Sequence, residues 1–515
     1  MTPCHTARTS GQDQARSTRI NSQSLASCLA TAMALGIFLF FAHHASAQTD
    51  TARLGSANPA DNPAAVNAWR ASSRLGYGPN AATGQLALTD PKRWALQQID
   101  AAYAASQLAP VLPPQIARFN APINDISRDF QAEREARRTA RLPVVAPDAN
   151  NMTAPAGSVI APLDPNYFSR EMQQTAAAWR VMACSDPTLE NPLLARMTEF
   201  WFNHLNVFVG KGPVRPFVGH YAVNVIRANA LGKFEDLLLA SAHHPAMLLY
   251  LDQAQSNARG LNENYARELM ELHTMGVNSG YTQTDVRELA RILTGWTVNL
   301  PRGEGFVFAP RLHDTGDKVL LGRTFKSDGM REGEDAIRML ARHPATAQRI
   351  AKRLAETFVT DNPTQALVDR LADTFTRTQG DMRAVMTTLV ESQDFWRADN
   401  TLFKTPMDFA CSALTAGGGA KDRRDIQLTL GFLAQAGQPV HGWQTPDGYS
   451  TRAATWLAPE ALTRRADYAV TLGARMSDVT HLEPYLSAAS RERIALEIPA
   501  VRSGLMLASP DFMRK

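Results

Sequence analysis

From Tyr167 to the end of the chain, apolar residues recur at three- and four-residue spacing almost without a break, which commits the protein to a mostly helical core. Leu193, Met197, Phe200, Trp201, Leu205 and Phe208 form one such stripe, which Gly210 is expected to stop. Thr282 and Asp285 make a capping-box signature ahead of Val286, Leu289, Ala290 and Leu293. Strand signals are confined to 305–324, where Phe306-Val307-Phe308 and Val319-Leu320-Leu321 flank the turn-rich Asp314-Thr315-Gly316-Asp317 and read as one β-hairpin. The fold class expected is mostly α: a multi-helix globular domain with a small β excursion near 305–324. No internal repeat is present.

The first 47 residues follow a different logic. Arg8, Arg16 and Arg19 precede an apolar run from Leu29 to Ala42, and Ala45-Ser46-Ala47 supplies the small residues of a cleavage site. The run is about 14 residues, short of the ~20 that span a bilayer, so 1–47 reads as a cleaved secretory signal and no membrane anchor is expected. Cys28 precedes the apolar run rather than following it, which excludes lipidation, and no twin-arginine pair precedes that run. Residues 48–63 read as a disordered lead and 64–515 as a single large helical domain. Within it, the proline-rich 109–165 reads as an irregular insertion enclosing one charged, exposed helix, and Gly417-Gly418-Gly419 marks a candidate subdomain boundary near 417–421.

Cleavage would remove three arginines and one aspartate, taking the formal charge from +4 to +2, too balanced for nucleic acid or an anionic membrane as partner. It would also leave only Cys184 and Cys411, compatible with one disulfide or with two buried thiols. The expected location is periplasmic or secreted.

The motifs of zincins, nucleophile-elbow hydrolases, P-loop enzymes and haem attachment are all missing. The densest polar constellation is Asn262–His273. At about 100° per residue, Asn264, Arg267, Glu268 and Glu271 share one helix face, while Tyr265, Ala266, Leu269, Met270, Leu272 and His273 take the other. Glu268 and Glu271 stand on successive turns, close enough to share a proton or a cation. His204 lies on the apolar face of its helix, and His313 stands beside Asp314 at the turn of the hairpin. With Glu268 or Glu271, the residues His204, His313 and Asp314 make a speculative set of ligands for a divalent metal ion. Arg267 and Lys318 are candidates for holding an anionic group. Against these readings, the charged face also suits a solvent-exposed helix side, and Asp314 and Gly316 are explained by turn chemistry. Trp443, Tyr449 and Trp456 with Asp447-Gly448 suggest an aromatic surface for sugars, or else core packing and loop anchoring.

An ordered set of short stretches resembles one bacterial family, the domain-of-unknown-function 1800 proteins. It runs from Arg74-Leu75-Gly76-Tyr77-Gly78-Pro79 through Phe200-Trp201-Phe202-Asn203-His204 and His244-Pro245-Ala246-Met247. It is densest at Asn262–Val277 and continues in Gly280-Tyr281-Thr282-Gln283, Leu293-Thr294-Gly295-Trp296, His313–Lys318, Lys404-Thr405-Pro406, Pro446-Asp447-Gly448-Tyr449 and Trp456. The resemblance implies an exported bacterial protein and a co-encoded exported partner resembling sulfatases or phosphatases; it carries no activity and no catalytic residue. The function expected is a hydrolase-type enzyme acting through Glu268, Glu271, His273, Arg267, Asn264 and Lys318 on an extracellular or periplasmic substrate. The competing expectation is a non-enzymatic binding or assembly partner, with the Asn/Glu/Arg cluster a structural polar network.

Overall fold

The computed structural model describes residues 63–81, 84–140, 166–476 and 478–515. The expected signal at 1–47 lies outside the described residues, as do the lead up to residue 62 and the 141–165 part of the insertion. The described residues all belong to one compact unit.

The unit is built of packed helices with two small antiparallel sheets. Its centre is the helix Pro192–His204, started by Asn191, whose side chain accepts from the backbone N–H groups of Leu193 and Leu194, with Pro192 at the first position. Leu193, Leu194, Met197 and Trp201 on this helix are fully buried. It ends at His204, before the expected stop at Gly210, because the chain beyond it finds other partners. The Leu205 carbonyl accepts from the Tyr221 hydroxyl at 2.9 Å, and Val209 N–H donates to the His441 carbonyl at 3.2 Å. The capping box at Thr282 and Asp285 is present and starts the helix Gln283–Ile292. A second one, Thr405 with Asp408, starts Pro406–Ala416. Within the insertion, Ile123–Ala140 is a helix whose Ile126 and Phe130 are buried while its arginines line the outside.

The β excursion lies at the expected place, with different pairing. Phe306–Phe308 pairs with Trp296–Val298, and Lys318–Leu320 pairs with Arg323–Phe325. The second hairpin turns through Leu321 and Gly322, both at positive φ, the backbone that a two-residue hairpin loop demands. Asp314–Asp317 makes no strand turn; the Asp314 carboxylate instead accepts from Gly316 N–H and from Arg291.

Cys184, on the helix Tyr167–Ser185, is joined to Cys411 on Pro406–Ala416 by a disulfide, which resolves the alternatives left by the sequence. No described helix is long and apolar enough to cross a membrane.

Candidate functional site

The Asn264–Glu268 helix continues into a π-helical turn, Leu269–His273. The two faces expected from periodicity hold: Tyr265, Ala266, Leu269, Met270 and His273 are buried, and Arg267, Glu268 and Glu271 are partly exposed. The two candidate carboxylates have different surroundings. Glu271 accepts from Arg267 at 3.4 Å and is hydrogen-bonded by Tyr281. Arg267 is further engaged by Glu263 at 3.3 Å and Gln283 at 2.8 Å, so its guanidinium is occupied by its own helix and the next. Asn264 is likewise tied, donating to the Leu251 carbonyl at 3.2 Å. Glu268 has no hydrogen bond to its carboxylate among the described residues. Burial, then the neighbouring Glu271, raises its pKa; Arg267 opposes this and Asp447 adds to it.

Asp447 belongs to the loop that faces this helix. Its carboxylate accepts from Trp443 Nε1 at 2.9 Å and Thr445 Oγ1 at 2.5 Å. Three side chains clamp the loop through its backbone. Asn203 accepts from Tyr449 N–H at 2.7 Å and donates to the Tyr449 carbonyl at 2.9 Å. Asn206 donates to the carbonyls of Trp443 and Thr445, and the Tyr250 hydroxyl donates to that of Gln444 at 2.7 Å. Tyr250 also feels the charges of Glu268 and Asp447, which with burial hold its phenol protonated. Gly448 has φ +75°, and a Cβ there would overlap the Asn203 carbonyl oxygen, so only glycine lets the loop seat this closely. Of the aromatic residues, Trp443 packs on Tyr449 with ring centroids 4.8 Å apart, and Trp456 donates to the Ser450 carbonyl; both anchor the loop.

A cleft of about 260 Å³ is lined by Trp443, Asp447 and Tyr449 from the loop and by Arg353 and Glu356 from the helix Pro344–Phe358. The Arg353 guanidinium makes no hydrogen bond among the described residues; Glu356 and Asp447 act on it through charge alone.

The remaining expected site residues lie elsewhere. His204 and His273 are 2 % and 1 % exposed, and His204 Nε2 meets the His273 carbonyl at 3.0 Å. Burial pushes both imidazoles down, with Arg353 and Arg349 adding like charge at His204 and Arg349 at His273, which falls to about 3, so they are neutral core groups. His313 and Lys318 join a separate closed network. Glu332 takes His313 Nε2, and both its oxygens accept from Lys318 Nζ at 3.0 Å. Lys318 also donates to the Asp314 carbonyl and is fully buried, so it cannot reach a substrate. The Asp314 carboxylate is held by Arg291, which lowers its pKa. His204, His313 and Asp314 therefore do not converge with Glu268 or Glu271, and among the described residues no three His, Cys, Asp or Glu side chains are placed to hold a metal ion. Replacing Glu332 by Gln is expected to lower stability by about 3–5 kcal/mol, because the Lys318 ammonium stays buried without a counter-charge. Urea unfolding measures this; a loss under about 1 kcal/mol would show the network to be dispensable.

Nothing in the sequence singles out Arg353 or Glu356. Arg353 and Glu356 sit on an ordinary amphipathic helix, and only tertiary packing sets them beside Asp447.

A family profile described as a protein of unknown function (DUF1800) matches residues 70–514. Neither a curated protein nor a solved structure matches the chain. The chain belongs to the DUF1800 family.

Proposed function

We propose that this DUF1800 member is an exported hydrolase-type enzyme whose working carboxylates are Glu268 and Asp447, acting on a polar extracytoplasmic substrate. The observation that carries the reading is the contrast within one helix. Glu263 and Glu271 are engaged by Arg267 and its neighbours, whereas the Glu268 carboxylate is half-buried, raised in pKa, free of hydrogen bonds and within electrostatic reach of Asp447, which lines the open cleft. A carboxylate whose pKa is raised keeps its proton to higher pH and can serve as a general acid, and a second carboxylate near it can serve as the complementary base or nucleophile. Hydrolysis needs only water as co-reactant, which suits a site that must work after export. The Cys184–Cys411 disulfide supports an oxidising compartment.

The competing reading, an assembly partner of another exported protein, draws support from the saturated Glu263–Arg267–Glu271–Gln283 network, which fixes helix packing whether or not chemistry occurs.

Glu268→Gln separates the two. Hydrolysis of cell-envelope polysaccharides and peptidoglycan by the mature protein is measured first, and the variant is then assayed on the substrate found. The variant is expected to lose about 100-fold or more in kcat, the scale of one general acid. Its melting temperature should be equal or higher at pH 7, since a neutral amide avoids a half-buried charge beside Glu271. Wild-type activity should fall as pH rises through the elevated Glu268 pKa, where the proton to be donated is lost. Full activity in the variant, or no turnover by the wild type on any such substrate, removes the enzyme reading.

A further inference from the structure

We propose that the cleft continues inward to an oxyanion pocket, with Arg353 at its neck and Arg196 at its base, so that the group bound there carries a carboxylate, sulfate or phosphate. The open cleft adjoins an inner pocket, and Arg353, Glu356, Tyr449, Ser450 and Thr451 line both. The inner pocket reaches Arg196, Asp408 and Lys515, and has room for a group about the size of one oxyanion.

Its wall is rich in donors that lack acceptors. Arg196 is 3 % exposed; one guanidinium nitrogen meets Asp408, while Nε and Nη2 have no partner. In the adjoining recess, Arg180 Nη1 and both ring nitrogens of His441 are also unpartnered, and His441 holds a left-handed backbone at φ +58°. Buried donors left unpaired cost free energy, and strained backbone persists where the surroundings enforce it. Arg353 adds an unpaired guanidinium at the point where the two cavities meet.

The neighbouring carboxylates are already engaged. Asp408 is shared between Arg196 and Lys515, whose Nζ donates to it at 2.6 Å, so no carboxylate is left over for the Nε and Nη2 of Arg196. Glu199 is taken by Arg180, leaving Arg353 facing Glu356. An oxyanion would supply acceptors for these unpartnered donors, and its several oxygens suit the planar guanidinium fork. The role sought in Arg267 and Lys318 falls instead to Arg353 and Arg196. The inference deepens the hydrolase reading by naming the anionic character of its substrate, while anion binding itself is measured without turnover.

The test titrates the oxidised mature protein with inorganic sulfate, inorganic phosphate and glucuronate at constant ionic strength, following tryptophan fluorescence and calorimetric heat. Saturable binding of at least one is expected, and the tightest of the three identifies the chemical source. Arg353→Gln is expected to weaken that binding at least 10-fold with an unchanged melting temperature. If this variant does not fold, Arg353→Lys, which keeps the charge and loses the fork, is expected to show the same loss. Glu268→Gln should bind the anion as the wild type does, so lost turnover with intact binding would distinguish failure of one claim from failure of the other. No saturable binding of any of the three, or wild-type affinity in the Arg353 variant that folds, overturns the proposal.

Discussion

Acidification from pH 7 to pH 5 is expected to unfold the protein cooperatively, with a midpoint near pH 5. His204, His244, His273 and His441 are buried and neutral, each with its pKa pushed down chiefly by burial. In the unfolded chain they protonate near 6.5. The folded state therefore binds fewer protons than the unfolded state below that pH, and the stability these groups confer is complete above pH 6.5 and lost as pH falls. Each histidine removes about 1.4 kcal/mol per pH unit once well below 6.5. Four together remove about 8 kcal/mol by pH 5, comparable with the whole stability of a typical domain, about 5–15 kcal/mol. His220, held near 4 by burial and meeting His244 at 3.0 Å, adds in the same direction. Circular dichroism against pH gives the midpoint, and the number of protons taken up on unfolding should be about four. A protein still folded at pH 4 would contradict this account.

Loss of the Cys184–Cys411 disulfide is the second large effect. The bond closes 227 residues of chain, and restricting a loop of that length in the unfolded state stabilises the fold by about 5 kcal/mol on the chain-entropy account. Both cysteines are buried, one on each of two packed helices, so reduction also frees those helices to separate. The Cys184→Ser/Cys411→Ser double variant is expected to unfold at a markedly lower urea midpoint, and reductant should shift the wild type to match it while leaving the variant unaffected. A wild type indifferent to reductant would mean that helix packing alone sets the stability.

What could be read from the sequence was what repeats locally. The division of Asn264–His273 into a charged and a buried face follows from helical periodicity and holds residue by residue for Glu268, Glu271, Leu269 and His273. Both cap signals act through three-residue spacing, and Thr282 with Asp285 was legible for that reason. Lys318 shows where this stops. It reads as a turn lysine able to reach outward, yet pairing with Phe325 gives its strand an inward face shared by Lys318 and Leu320. Register, which no local pattern specified, decided its fate. Arg353 and Asp447 lie about ninety positions apart and meet only through the packing of the 443–452 loop on two helices. Their separate stretches carry no sign of it.

The π-helical turn at Leu269–His273 has a consequence for how the site tolerates change in length. A π turn fits one more residue into each hydrogen-bonded ring than an α turn; here the Thr274 hydroxyl reaches back five residues to the Leu269 carbonyl. Deleting a single residue from this turn could restore a regular α-helix, so the chain would not resist it on grounds of local geometry. The deletion would, however, rotate the residues on its N-terminal side by about 100° relative to those on its C-terminal side. With His273 still anchored in the core, Glu268 would swing away from Asp447 and Tyr265 would leave its buried seat. The free carboxylate thus depends on an insertion-like irregularity, and a shortened chain could keep its helix while losing the approach of Glu268 to Asp447.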